Sequence, residues 1–257
     1  MKHLPHFTIS GDSPPGEGSI ARVTGSELHH LRNVMRLGAG SEVVLCAADG
    51  QHYAARITAF EPNAAMIAVG KPCVKDESSG APRLILAAGI IKAARMDLLI
   101  EKAVELNAAE FWPLKCARSV VHEPSSARQQ RWRRIALAAA KQCLRSRPME
   151  IHDPLEVTAM AASIGSVPAL LCKAGAEPLS AVLRRMADST VGSPKVLVFA
   201  IGPEGDFTTE ELEAMSWAGF AAAGLGATRL RTETAALAAL SIAGTIFAEL
   251  SSITSSA

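Results

Sequence analysis

The chain lacks the signatures of a membrane protein, a secreted protein or a common nucleotide fold. No apolar run reaches the ~18 residues of a transmembrane helix, so no span is expected. The opening MKHLPHFTISGDSPPGEG has one early lysine and no apolar segment, which makes it a poor secretory signal. The five cysteines, Cys46, Cys73, Cys116, Cys143 and Cys172, stand far apart with no C-x-x-C pair. An odd, scattered set fits reduced cytoplasmic thiols better than disulfides or a zinc site. No G-x-G-x-x-G follows a first strand, and G-x-x-x-x-G-K-S/T, G-x-S-x-G and H-E-x-x-H are all missing. These absences argue against a usual dinucleotide fold, a P-loop ATPase, an α/β-hydrolase and a helix-borne zinc site. Internal repeats and low-complexity tracts are also missing.

What is present is a globular composition. The 257 residues are 49% hydrophobic and 20% charged, enough for one large domain or a small one joined to a mid-sized one. The net charge of +1 hides an asymmetry. Between Lys115 and Arg147 nine basic residues face one acid, Glu123. From Val196 onward seven acids face only Arg229 and Arg231. A basic run reads either as a solvated helix face or as a phosphate-binding surface, and charge alone leaves both open.

Residues 1–72 read as short strands with one helix. SEVVLCAA and QHYAARITAF flank an Asp49-Gly50 turn, a hairpin signal, and Pro62-Asn63 leads on into AAMIAVG. GSELHHLRNVMRL carries Leu28, Leu31, Val34, Met35 and Leu37 at helical spacing, with Ser26 placed to cap and Gly38 to stop it. His29 and His30 are adjacent and cannot share one helix face, so they read as surface or RNA-facing groups; no metal site is expected. Residues 73–83 have linker composition. From residue 84 to 257, apolar runs such as LILAAGI, PALLCKA and KVLVFAI alternate with amphipathic helical patterns. In RMDLLIEKAVEL, for example, Met96, Leu99, Ile100, Ala103 and Leu106 share a side. This alternation predicts an α/β domain with a mostly parallel sheet.

Such sheets bind ligands beyond the carboxyl ends of their strands. Three strand ends stand out: LLCKAGAEPL, IGPEGD and LGATRLRTET. In the second, Gly202 and Gly205 are expected to adopt backbone angles closed to other residues and to admit a ligand, while Pro203 stiffens the turn and Glu204 projects from it. FTTEEL beyond it is a capping box, Thr208 with Glu211. In the third, Arg231 is read either as pairing with a nearby acid or as part of a shared pocket, and Thr232 or Thr234 as a cap of the last helix.

HHLRNVMRL, RMDLLIEKAVEL, RSVV, KQCLRSR, IGPEGDFTTEEL and LGATRLRTETAALAAL, in this order over residues 20–245, resemble the signatures of the RsmE-type 16S rRNA uridine-N3 methyltransferases. The resemblance implies a PUA-like β-barrel domain that holds RNA, then a SPOUT methyltransferase domain with a C-terminal trefoil knot. It also implies a homodimer, cytoplasmic and without membrane or DNA partners, that acts on 16S rRNA of the small ribosomal subunit. The cofactor would be S-adenosylmethionine, held by Leu171, Cys172, Lys173, Ile201, Gly202, Pro203, Glu204, Gly205, Leu225, Gly226, Leu230 and Arg231. Glu204 or Glu233 would take the uracil N3 proton, and Arg231 would stabilise charge developing on the uracil oxygens. Arg22, His29, Arg32, Arg36, Arg118, Arg128, Arg131 and Arg134 would meet RNA. The chain departs from the family pattern at His6, Asn107, Leu144, Asp206 and Ala227, of which Asn107 suits a left-handed helix end. A catalytically silent RNA-binding or assembly factor on the same scaffold, or a knotted methyltransferase for another RNA, are the competing readings.

Overall fold

The structure is a computed structural model that describes residues 4–9, 16–46, 52–74, 81–120, 123–143, 145, 147–188 and 194–254. The expected Asp49-Gly50 turn, most of the 73–83 linker and Leu144 lie outside the described residues. The chain divides into two compact units, Met1–Glu77 with Ala140–Arg147, and Ser78–Ala139 with Pro148–Ala257. Residues 140–147, expected with the second domain, group with the first, where Lys141 pairs with Glu27.

The first unit contains β1 (His6–Thr8), β2 (Ile20–Val23), α1 (Gly25–His29), β3 (Glu42–Cys46), β4 (His52–Glu61) and β5 (Ala64–Val74). Its five-stranded sheet runs β1-β3-β4-β5-β2, with β1 parallel to β3 and the other pairs antiparallel. Val43 and Leu45, and Ala65, Ile67 and Val69, alternate along their strands and enter one core with Phe7, Leu31 and Ile57. That period of two is the half-buried strand pattern. The β5 strand runs to Val74, two residues past the expected boundary at 72. The helix also differs from expectation. Thr24, not Ser26, is its N-cap, and α1 continues into a π-helical turn over His30–Val34. Met35 N–H closes that turn on the His30 carbonyl at 2.9 Å. Arg36, at φ 52°, takes the left-handed turn that ends the helix, so Gly38 is not the stop.

The second unit contains β6 (Arg83–Gly89), α2 (Ala93–Glu105), β7 (Ala108–Lys115), α3 (Ser126–Gln142), β8 (Glu150–Ile151), β9 (Leu155–Glu156), α4 (Val157–Ser163), β10 (Ala169–Cys172), α5 (Leu179–Ala187), β11 (Val196–Ile201), α6 (Thr209–Trp217), β12 (Ala221–Ala223) and α7 (Thr232–Thr254). The last residues of α3 belong to the first unit by contact. The sheet runs β12-β10-β11-β6-β7-β8, with β9 on β7, and every pairing is parallel. Central strands β6 and β11 are covered on both faces, which is why they read as unbroken apolar runs. Helix α2 buries Met96, Leu99, Ile100 and Ala103, and Asn107 ends it at φ 64°, the left-handed cap expected there. The short elements β8, β9 and α4 carry too few residues for a period to show and were not expected.

One expectation about membranes needs correction. Thr232–Ser251 within α7 is long and apolar enough, by length and composition, to cross a membrane. Alanines interleaved with Leu, Ile and Phe raise its mean hydropathy without an obvious apolar run. In this fold α7 packs on α2, α5, β6 and β11, burying Ala236, Ala239, Leu240, Ala243, Ile246 and Phe247. One face belongs to the core of the second unit.

Candidate active site

Because the sheet is parallel, the carboxyl ends of β12, β10, β11 and β6 lie side by side along one edge. The loops leaving β10, β11 and β12 enclose a cavity of about 550 Å³, within the range of small-molecule sites. Its wall includes Cys172, Lys173, Ile201, Gly202, Pro203, Glu204, Leu225, Gly226, Leu230 and Arg231. All ten stand on the list derived from sequence. The wall also takes in Asp206, Thr228, Arg229 and Thr232, which that list omitted.

Two expected cofactor residues stand elsewhere. Leu171 is buried in the sheet core, because side chains alternate along β10 and Cys172 takes the position at the edge. Gly205 does not line the cavity. A Cβ at Gly205 would lie 2.8 Å from the carbonyl oxygen and Cβ of Arg118. Its lack of a side chain therefore serves close packing against the 116–119 turn. Neither Gly202 nor Gly205 is left-handed; the left-handed residue of this loop is Asp206, at φ 62°. Its carboxylate accepts the Phe207 N–H at 2.8 Å, a local bond that suits aspartate to that conformation.

The loops are tied together by main-chain and hydroxyl bonds. Lys173 N–H reaches the Ala223 carbonyl at 2.9 Å and Gly224 N–H the Glu177 carbonyl at 2.7 Å, which join the β10 and β12 loops. Gly224 passes so close that a Cβ would meet the Ala176 carbonyl at 2.5 Å. Thr232, one of the two threonines expected as a cap of α7, donates its hydroxyl to the Gly202 carbonyl at 2.9 Å. The expected capping box is present in full: Thr208 Oγ1 accepts from Glu211 N–H, and Glu211 Oε2 accepts from Thr208 N–H at 2.7 Å. The second carboxylate oxygen of Glu211 accepts the Ala117 N–H at 2.8 Å.

The electrostatic centre is a residue that opens the RMDLLIEKAVEL motif but was not named among the expected site residues. Arg95, in the first turn of α2 beyond β6, lies 3.4 Å from Glu204 Oε1 and 3.7 Å from Glu233 Oε1. Glu233 does not line the cavity and is nearly buried, whereas Glu204 lies on the wall and is more open. The Oε2 atoms of both carboxylates are buried without a hydrogen-bond partner. Arg231 lies exposed on the wall. Burial pushes the Cys172 thiol up to about 12, so it stays protonated at neutral pH. The signal that could have found Arg95 is topological. Once β6 is placed next to β11, the β6 end becomes a fourth loop of the site, and Gly89 there would press a Cβ to 2.7 Å from Pro203 N.

The residues expected to meet RNA are dispersed. In the first unit Arg22, His29, Arg32 and Arg36 are exposed; Arg22 pairs with Glu61 at 3.2 Å and Arg32 lies over the Phe60 ring. In the second unit Arg128 is half-buried and Arg134 exposed. Two others already have partners, because acids and carbonyls from distant elements fold onto them. Arg131 pairs with Asp97 at 2.9 Å, and Arg118 donates to the Phe207 carbonyl at 3.3 Å.

A parallel sheet whose loops form such a cavity, preceded by a small mixed-sheet unit, matches known families. The RNA methyltransferase domain family matches residues 79–244, and the RNA methyltransferase PUA domain family matches residues 23–65. The chain is 31% identical over 240 residues to ribosomal RNA small subunit methyltransferase E of Bacillus subtilis, covering 88% of this chain and 90% of that one. The protein of that name from Mycobacterium tuberculosis is 29% identical, covering 91% of this chain and 90% of its own. The crystal structure of a Neisseria gonorrhoeae ribosomal RNA small subunit methyltransferase E bound to S-adenosyl methionine superposes with a TM-score of 0.79 at 26% identity. That superposition covers 95% of this chain and 98% of that one. The chain belongs to the ribosomal RNA small subunit methyltransferase E family.

Proposed function

We propose that the chain transfers a methyl group from S-adenosylmethionine to N3 of a uridine in 16S rRNA of the small ribosomal subunit. The observation that carries this reading is the cavity at the ends of β10, β11 and β12, in a chain whose N. gonorrhoeae relative was crystallised with that cofactor. The residues present fit it. The wall mixes main-chain groups at Gly202 and Gly226 with the apolar side chains of Ile201, Leu225 and Leu230, and the buried Glu204 oxygen offers an acceptor to a bound N–H.

When bound, S-adenosylmethionine supplies a methyl group already activated for attack. The chain has to align the base and manage one proton. Glu204, which is on the wall, accepts the N3 proton; Glu233, which is off it, holds Arg95 in place. Arg231 stabilises the charge that develops on the uracil oxygens. Alignment contributes the larger part of the acceleration, up to ~7–11 kcal/mol in ideal intramolecular cases, and the base roughly 10²–10⁴-fold.

The first unit binds rRNA through phosphates, and Arg128 and Arg134 of the second unit do so in their own right, while the target base is turned out of its stack. The C-terminal segment forms a trefoil knot, a reading supported by β12 pairing on β10 while the following α7 packs on β6 and α2. The protein works as a cytoplasmic homodimer. The small-residue face of α7, with Thr234, Ser241, Thr245 and Ala248 exposed, suits close packing against a second copy.

Methyl transfer to undermethylated small subunits and to free 16S rRNA, with the modified base mapped, tests the proposal. Methylation of a single uridine at N3 is expected. Transfer to a ribose hydroxyl or another base would overturn the target, and failure to bind S-adenosylmethionine in calorimetry would leave an RNA-binding factor.

A further inference from the structure

The first unit brings together three side chains that no motif joins. His6 on β1, Cys46 on β3 and His52 on β4 place one ligand atom each within 4.8 Å of one another. Strand register explains the cluster. Cys46 is the direct partner of His52 across the antiparallel β3–β4 pair, so the two side chains leave the same face. Thr8 is the partner of Cys46 across the parallel β1–β3 pair. His6, two residues before Thr8, returns to that face by the strand period.

We propose that this cluster is a Zn²⁺ site. Two imidazoles and one thiolate, with no carboxylate among the described residues, make a borderline-soft donor set that suits zinc over magnesium or calcium. The Cys46 Sγ to His6 Nδ1 distance is 3.8 Å, close to the ~3.6 Å that separates tetrahedral N and S ligands at zinc bond lengths. Three atoms within 4.8 Å of one another share a centre no more than about 2.8 Å from each. Side-chain adjustments of roughly 0.5–0.8 Å at most then reach Zn–N and Zn–S bonds of ~2.0–2.3 Å. The His52 ring is fully buried, while His6 and Cys46 are half-buried and leave a path for the ion. The three described ligands leave a fourth position for a further donor. The ion would fasten β1, a three-residue strand held at the sheet edge by its pairing with β3, so its binding free energy appears as stability.

The second group of three possible ligands, Glu110, Glu150 and His152, is a different case. Glu110 already receives Arg83 at 2.9 Å, Trp112 Nε1 at 2.8 Å and His152 at 2.7 Å. That is an ion-pair network complete without a metal.

The full-length reduced chain, stripped with a chelator, would be titrated with Zn²⁺ and separately with Co²⁺. One ion per chain is expected, together with a higher melting temperature and a Co²⁺ spectrum carrying a thiolate charge-transfer band. Cys46→Ser should abolish that band, and both it and His6→Ala should weaken binding roughly 100-fold or more. Both positions are half-buried, and circular dichroism verifies that the variants fold. Equal Zn²⁺ affinity in wild type and Cys46→Ser, a cobalt spectrum without the thiolate band, or loss of binding in His152→Ala instead would overturn the site.

Discussion

The Thr232 hydroxyl donates to the Gly202 carbonyl at 2.9 Å, which fastens the first residue of α7 to the loop after β11. Thr232 is buried, so the bond is made away from water. Thr232→Val keeps the shape and removes the donor, leaving that carbonyl without its hydroxyl partner at a cost of about 1–3 kcal/mol. The melting temperature should fall, and calorimetry should show S-adenosylmethionine affinity falling with it. Thr232→Ser, which keeps the hydroxyl, should restore most of both.

Arg95 sits between two carboxylates. Removing it with Arg95→Met leaves Glu233, whose side chain is 9% exposed, without its counter-charge. A loss of about 1–3 kcal/mol in stability is expected. Adding Glu233→Gln should recover part of it, a positive coupling in a double-mutant cycle read by urea unfolding. Additive losses would mean that the two side chains do not interact.

The two carboxylates beside Arg95 separate by role. Glu204→Gln should lower methyl transfer by roughly 10²–10⁴-fold, while S-adenosylmethionine binding weakens far less because the amide oxygen still accepts a hydrogen bond. Glu233→Gln should act on rate and stability together, through Arg95. Full activity in Glu204→Gln would remove it as the base.

Gly205 and Asp206 respond to substitution for different reasons. Gly205→Ala pushes a methyl group against the Arg118 main chain, 2.8 Å from its carbonyl oxygen, and should cost about 1–3 kcal/mol. Asp206, at φ 62°, should tolerate glycine, whereas Asp206→Ala should lose about 1–2 kcal/mol. Thermal melts of the three variants distinguish packing from backbone conformation.

Cys116 makes stability sensitive to alkali. Burial first, then the Glu211 charge, pushes its thiol up from 9.0 to about 12. Above the unfolded value the unfolded chain loses a proton that the folded chain keeps, so stability is whole below pH 9 and falls as pH rises from there. The slope approaches roughly 1.4 kcal/mol per pH unit for this group. Cys116→Ala should reduce the decline in denaturation midpoint between pH 9 and 11.

Local chemistry made much of the second unit legible. Unbroken apolar runs mark strands covered on both faces, Thr208 and Glu211 mark a helix start, and Asn107 marks a helix end. Ten of the residues named for the cofactor were found on one wall because strand ends in a parallel sheet must lie together. What escaped depended on sheet order and on distance in the chain. Arg95 joins Glu204 and Glu233 from 109 and 138 positions away, and only the placing of β6 beside β11 brings it there. The glycine at 205 announced a close approach, but tertiary packing assigned that approach to Arg118. The same holds for His6, Cys46 and His52, whose common face depends on the pairing of three strands. Residue type and period set what each segment can form; strand order and register, which are cooperative properties of the whole chain, decided which side chains meet.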